Sequence, residues 1–314
     1  MTKLEGQLIT LDRTYPLVRI GETDRRAEYA VSFSRDDQRV TVGDYVELVQ
    51  SDTDADSLPQ IVGVKARDTL LARRVCVESP SESEGVEGKF EEHLLAANFD
   101  RVFVVHALGR RSIDLDYLER QLVASFESGG SVVVVLNKAD LATHPLDNLL
   151  AELSTLAEDL QVIACSAETG QGIEQLRELC PPGSMSVFFG RSGVGKSSLI
   201  NALIGSEQQA TGDVRERDMA GRHTTVARHI IFADGRAYYD TPGVRSIGNY
   251  LSEVGLEEVF SDVIELAATC RFRNCKHENE PDCAVRAAIT AGDLTERRLK
   301  SYIALAAEVC GEDL

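Results

Sequence analysis

Over residues 1–66 apolar and polar positions alternate in short runs, and no stretch repeats at the three-to-four spacing of a helix. The runs 6–11, 17–20, 27–33, 40–49 and 61–64 are parted by Gly and Asp turns. Five such strands predict a small closed barrel of the oligonucleotide-binding (OB) type, although a generic small β-domain fits the same pattern. Residues 78–88, rich in Ser, Glu and Gly, read as a flexible connector, so 67–97 is expected as a linker. From residue 98 the pattern changes. Apolar runs at 101–106, 132–136, 161–165 and 185–189 alternate with helical patterns at 115–128, 173–179 and 198–203, and two strand-like segments follow at 229–232 and 237–239. Residues 98–248 therefore predict a parallel, doubly wound α/β sheet with helices on both faces. Residues 249–314 hold helical patterns at 256–268 and 294–309, too little to form a core alone. The expected fold class is an OB-like β-barrel, a central α/β domain and a C-terminal α-helical domain.

Chemistry enters at the ends of the apolar runs. The strand at 185–189 leads into GRSGVGKS: Gly190, Arg191, Ser192, Gly193, Val194, Gly195, Lys196 and Ser197, with Ser198 opening a helix. In such a loop successive N–H groups curl around phosphate oxygens at the positive end of a helix, the lysine reaches the β- and γ-phosphates, and the serine hydroxyl ligates Mg²⁺. The strand at 132–136 ends in NKAD. Asp140 is placed to accept guanine N1–H and the exocyclic amine, with Asn137 and the Lys138 stem beside the base. Alone, these four residues also fit a strand followed by an Asn/Asp turn; with the phosphate loop they read as guanine recognition. SAETGQG follows the strand at 161–165, and the amides of Ser166 and Ala167 are expected near guanine O6. DTPG begins at Asp240, which would hold Mg²⁺ through water, while Gly243 offers its N–H to the γ-phosphate. The polar stretch 205–226 reads as a mobile switch loop, in which Thr224 or Thr225 should give Mg²⁺ a second hydroxyl. NKAD precedes GRSGVGKS in the chain. A GTPase with that order is circularly permuted, and permutation preserves the sheet because only a surface loop is cut and the old termini joined.

The position after DTPG is Val244, which cannot hydrogen-bond a water, so intrinsic turnover should be slow. His223 is the candidate to orient the attacking water, with an RNA-contacting or merely exposed histidine as the alternative. Lys196 is expected to stabilise the developing charge.

Charge then narrows the partners. The net charge is −18, which opposes general affinity for polyanions and leaves only local basic patches, at Arg67, Arg73 and Arg74, at Arg215, Arg217, Arg222 and Arg228, and at Arg271, Arg273 and Lys276. No apolar run approaches the length of a membrane span, and the N-terminus lacks a signal-peptide pattern, so a cytoplasmic protein with no membrane partner is expected. Seven cysteines, an odd number, argue against a disulfide scaffold in a chain of this size. Cys270, Cys275, His277 and Cys283 lie close together and match a closed, structural zinc site.

Taken together, these motifs resemble the ribosome small-subunit-dependent GTPase A family. The resemblance runs over nearly the whole chain: VTVGDYVEL from Val40, NKADL, GRSGVGKSSLIN, GRHTT, DTPGVR, and CRFRNCKHENEPDCAV from Cys270. It implies a GTP hydrolase, cycling between GTP and GDP, whose barrel and zinc domain grip the small ribosomal subunit and its rRNA. Hydrolysis stimulated by the subunit would release the protein late in subunit maturation. The alternative is a GTP-gated scaffold on RNA in which hydrolysis is incidental. A monomer is expected. The acidic terminal domain, with seven Lys/Arg against thirteen Asp/Glu over 249–314, departs from what rRNA contact usually calls for.

Overall fold

The computed structural model describes residues 1–11, 15–33, 39–52, 57–76, 90–109, 112–205, 229–241 and 253–310. The first strands are β1 (Thr2–Thr10), β2 (Leu17–Ile20), β3 (Thr23–Arg26), β4 (Glu28–Tyr29), β5 (Tyr45–Gln50) and β6 (Gln60–Val64). β1 pairs antiparallel with β2 and β5, β2 with β3, and β5 with β6, while β4 runs parallel to β6. β3 and β4 are halves of one bent strand parted at Ala27, so the ring of strands closes on itself as an OB-like barrel. Leu8, Val18, Ala27, Phe33, Val46, Leu48 and Ile61 fill it. Two expectations change here. Residues 40–44 form a turn, where Gly43 adopts φ +95° and an added Cβ would lie 2.1 Å from the Ala97 carbonyl oxygen. β3 was not expected, because TDRR is an exposed ribbon with no apolar alternation to mark it.

The span 67–97 is more than a linker. β7 (Leu70–Cys76) and β8 (Phe90–Ala97) pair antiparallel, and Leu71, Leu95 and Ala96 join the main core.

The central sheet contains β9 (Arg101–Ala107), β10 (Ser131–Asn137), β11 (Gln161–Ala164), β12 (Met185–Phe189), β13 (His229–Ala233) and β14 (Arg236–Asp240). Their order is β11-β10-β9-β12-β14-β13, parallel except for β13. Alternate residues enter two cores. Val102 and Val104 of β9 face one, with α1 (Leu115–Glu127) and α2 (Asp147–Ser154) nearby; Phe103 and Val105 face the other, with α3 (Ile173–Glu178) and α4 (Lys196–Ile204). Burial on both faces is why these strands are continuous apolar runs. α2 breaks no rule of helix formation, but its eight residues are mostly exposed and gave only a weak periodic signal.

The C-terminal helices are α5 (Glu253–Val259), α6 (Ser261–Ala268), α7 (Ala284–Ala291) and α8 (Glu296–Cys310). The expected helix at 256–268 is two helices, parted at Phe260, whose φ of −114° and ψ of 29° leave the helical region. Their core is not separate. Leu256, Phe260, Val263, Val285 and Leu299 continue the cluster that holds Leu118 and Leu122 of α1. Among the described residues no helix is long and apolar enough to cross a membrane.

Candidate nucleotide and metal sites

β9 and β12 are neighbours, but the chain leaves them toward opposite sides of the sheet, β9 toward β10 and β12 toward β14. Such a switch point opens a crevice at the carboxyl ends of the strands. The loop 190–195 lies there, between the end of β12 and the N-terminus of α4. Two glycines are required by close approach: a Cβ on Gly190 would lie 2.4 Å from the Val105 carbonyl oxygen, and one on Gly195, at φ +94°, 2.2 Å from Asn137 Nδ2.

The base-reading loop is fastened to this phosphate loop. Asn137 Nδ2 donates to the Val194 carbonyl at 2.9 Å and Lys138 Nζ to the Gly193 carbonyl at 2.9 Å. Asn137 Oδ1 accepts the Ala167 N–H at 3.3 Å, and Ser166 Oγ donates to Asp140 Oδ1 at 2.5 Å. Lys138 is held at φ 63°, unusual for a side-chain-bearing residue and a local cost that the surrounding hydrogen bonds offset. Three loops that are far apart in the sequence thus form one surface.

Lys196 is buried, and its ammonium donates to the carbonyls of Gly190 at 3.0 Å and Arg191 at 3.3 Å. Burial lowers its pKa, and the Asp240 charge opposes that shift. Ser197 Oγ donates to Asp240 Oδ2 at 2.8 Å, so the two described Mg²⁺ candidates meet between the first turn of α4 and the end of β14. Ser192 and Ser198 are exposed beside them. His223, Thr224, Thr225 and Gly243 lie outside the described residues, as do Arg215, Arg217, Arg222 and Arg228.

Cys270, Cys275, His277 and Cys283 converge, with one ligand atom of each within 4.8 Å of the others. Cys270 Sγ and Cys283 Sγ are 3.9 Å apart, and His277 Nδ1 lies 3.7 Å and 3.5 Å from them. A tetrahedron with metal–sulfur bonds of about 2.3 Å has edges near 3.7 Å, so these residues fit a four-ligand metal ion. The Glu280 carboxylate accepts three backbone N–H groups, from Lys276, Glu278 and Asn279, at 2.7, 2.9 and 3.1 Å, and shapes the knuckle. Arg286 Nε donates to the His277 carbonyl, and Arg286 pairs with Glu296 at 2.6 Å, which ties the knuckle to α8.

Residues 71–250 match the family model described as RsgA GTPase. The chain belongs to that family. It is 35% identical to the small ribosomal subunit biogenesis GTPase RsgA of Methanosarcina acetivorans, over 98% of this chain and 79% of that one. The crystal structure of YjeQ from Thermotoga maritima is similar over 99% of this chain and 100% of that one, with a TM-score of 0.67 and 25% identity. A second solved structure, described as YloQ, a circularly permuted GTPase, covers 100% of this chain and 97% of that one with a TM-score of 0.63 and 22% identity. The RsgA-family match and the order of NKAD before GRSGVGKS agree: this is a circularly permuted GTPase.

One contact beside the crevice had no motif to announce it. The Arg191 guanidinium carbon lies 3.6 Å above the centre of the Tyr117 ring, and its Nη2 lies 3.6 Å from Asp114 Oδ2. Nothing in the chain order links residues 114–117 to 191.

Proposed function

We propose that this chain binds GTP with Mg²⁺ across the crevice of β9 and β12, hydrolyses it, and acts on the small ribosomal subunit as its curated relatives are named for. The observation that carries the reading is the joining of Asn137 and Lys138 to the carbonyls of Val194 and Gly193, which sets a base-reading loop and a phosphate loop at one site. In this reading Asp140 pairs with guanine, while Ser166 and Ala167 close over its edge. The amides of 190–198 cradle the phosphates. Lys196 exchanges its two loop carbonyls for phosphate oxygens, and the Ser197–Asp240 pair opens to hold Mg²⁺, joined by Thr224 or Thr225. The Cys270, Cys275, His277 and Cys283 cluster takes zinc as a structural ion. Residues 1–66 and 249–314 meet the subunit and its rRNA, the protein works in the cytoplasm as a monomer, and hydrolysis releases it. His223 orients the water that Val244 leaves unplaced, and Gly243 contacts the γ-phosphate.

The test is single-turnover GTP hydrolysis with purified ribosomal subunits. Small subunits are expected to accelerate it by orders of magnitude and large ones not, with His223→Ala removing most of the gain at unchanged nucleotide affinity, because a water-orienting group acts mainly in the transition state. Equal stimulation by both subunits overturns the partner. Binding of the small subunit without any acceleration favours the GTP-gated scaffold.

A further inference from the structure

Most of the phosphate loop faces the crevice, but the Arg191 side chain leaves it toward α1. Asp114 caps that helix, its carboxylate accepting the Tyr117 N–H at 3.1 Å. The first turn of α1 therefore offers one guanidinium both a ring to stack on and a carboxylate to pair with, the two groups a planar cation suits best. The Arg191 carbonyl meanwhile accepts from Lys196 Nζ. Arg191 is thus attached to α1 by its side chain and to the phosphate-binding lysine by its backbone.

The same helix holds the C-terminal domain. Arg297 of α8 reaches Asp116 at 2.9 Å and Glu119 at 2.8 Å, and Arg298 reaches Glu119 at 2.7 Å. Arg120 pairs with Glu308, and Gly255 of α5 lies so near Val123 that a Cβ would come 2.2 Å from its carbonyl oxygen. Asp116 and Tyr117 are adjacent, so the grip on α8 begins one residue from the clamp on Arg191. A packed helix held at both faces shifts as a unit rather than deforming between its contacts.

We propose that Tyr117 is a positioning residue that ties the phosphate loop to α1 through Arg191, so that the nucleotide held by that loop sets how firmly α8 is seated. This rests on the nucleotide reading above. The chain has a second connection, the covalent segment 242–252 between Asp240 and α5, and the test separates the two.

Hydrogen exchange of residues 296–310 is measured in the full chain with its metal, with GDP and with a non-hydrolysable GTP analogue. Wild type and Tyr117→Phe, which keeps the ring, are expected to differ about threefold between the two nucleotides, the scale of one ring–cation contact. Tyr117→Leu should abolish that difference while holding the analogue with an affinity like wild type. Arg297→Ala, which removes one of the links from α1 to α8 and leaves the Arg298–Glu119 and Arg120–Glu308 pairs, should narrow the difference, and the double variant should lose nothing more than Tyr117→Leu. A difference that persists in Tyr117→Leu, or a loss that Tyr117→Phe fails to rescue, overturns the proposal, the first assigning the signal to 242–252. Wild type that binds both nucleotides without any difference also overturns it. Wild type that binds neither overturns the nucleotide site, and the coupling with it.

Discussion

Asp140 and Glu119 are both carboxylates, and their surroundings set them to different work. Asp140 has Ser166 Oγ on one oxygen and stands at the mouth of the crevice. In the proposed GTP complex its pairing with the guanine N1–H and amine would be a charge-assisted, two-point contact, worth on the order of 2–5 kcal/mol when lost. Asp140→Asn should therefore weaken GTP by that amount and prefer xanthosine triphosphate, read by competition binding. Glu119 is wholly buried. Burial alone would raise its pKa, but hydrogen bonds from Arg297 and Ser301, with the Arg298 charge, hold it below the ordinary 4.5. A carboxylate lowered in this way stabilises the fold fully above that ordinary value, and the contribution is lost as pH falls through the folded-state value. Glu119→Gln takes one charged partner from Arg297 and Arg298, which keep Asp116 and Asp262, and should cost on the order of 2 kcal/mol near neutral pH. It should also flatten the fall in stability below about pH 4.5, followed by urea unfolding across that range.

At the scale of elements, the crossing of α1 and α5 depends on one residue without a side chain. Gly255 has no contact to spare against the Val123 carbonyl, which is backbone and cannot swing away. Gly255→Ala must push the two helices apart, and overpacking of this kind costs roughly 1–3 kcal/mol. The expected result in denaturant unfolding is a lowered midpoint, with faster exchange in 253–268 than in the strands of the central sheet. At the break between α5 and α6 the Phe260 ring is fully buried, with the Arg298 guanidinium carbon 4.3 Å from the ring centre.

For the whole molecule, the C-terminal helices share a core with α1, so the Cys/His cluster is not the sole feature that holds them. Val285 and Ala288 of α7 stand just after Cys283, whereas Leu256 and Val259 of α5 pack by themselves against α1. Chelation should release one zinc per chain, detected by elemental analysis, and should expose residues 270–291 to exchange while 253–259 stays protected. Uniform loss of protection across 253–310 would mean that the ion holds the whole domain, and unchanged protection would mean that it holds none of it.

What the sequence by itself determined are the features that lie in one stretch of chain. The doubly wound sheet was legible because strands buried on both faces must be continuous apolar runs, as at 132–136. The phosphate loop, NKAD and the Cys/His cluster were legible because their chemistry needs fixed residue types at close spacing. β3 and the β7/β8 pair were not legible, the first because it is exposed on both faces, the second because a Ser/Glu-rich stretch between its strands masked the pairing. Nor could local pattern give the union of Arg191 with Tyr117, of Glu119 with Arg297 and Arg298, or of Gly255 with Val123. Those contacts join residues 74 to 179 positions apart, and only the packing of α1 between the sheet and the C-terminal helices brings them within reach.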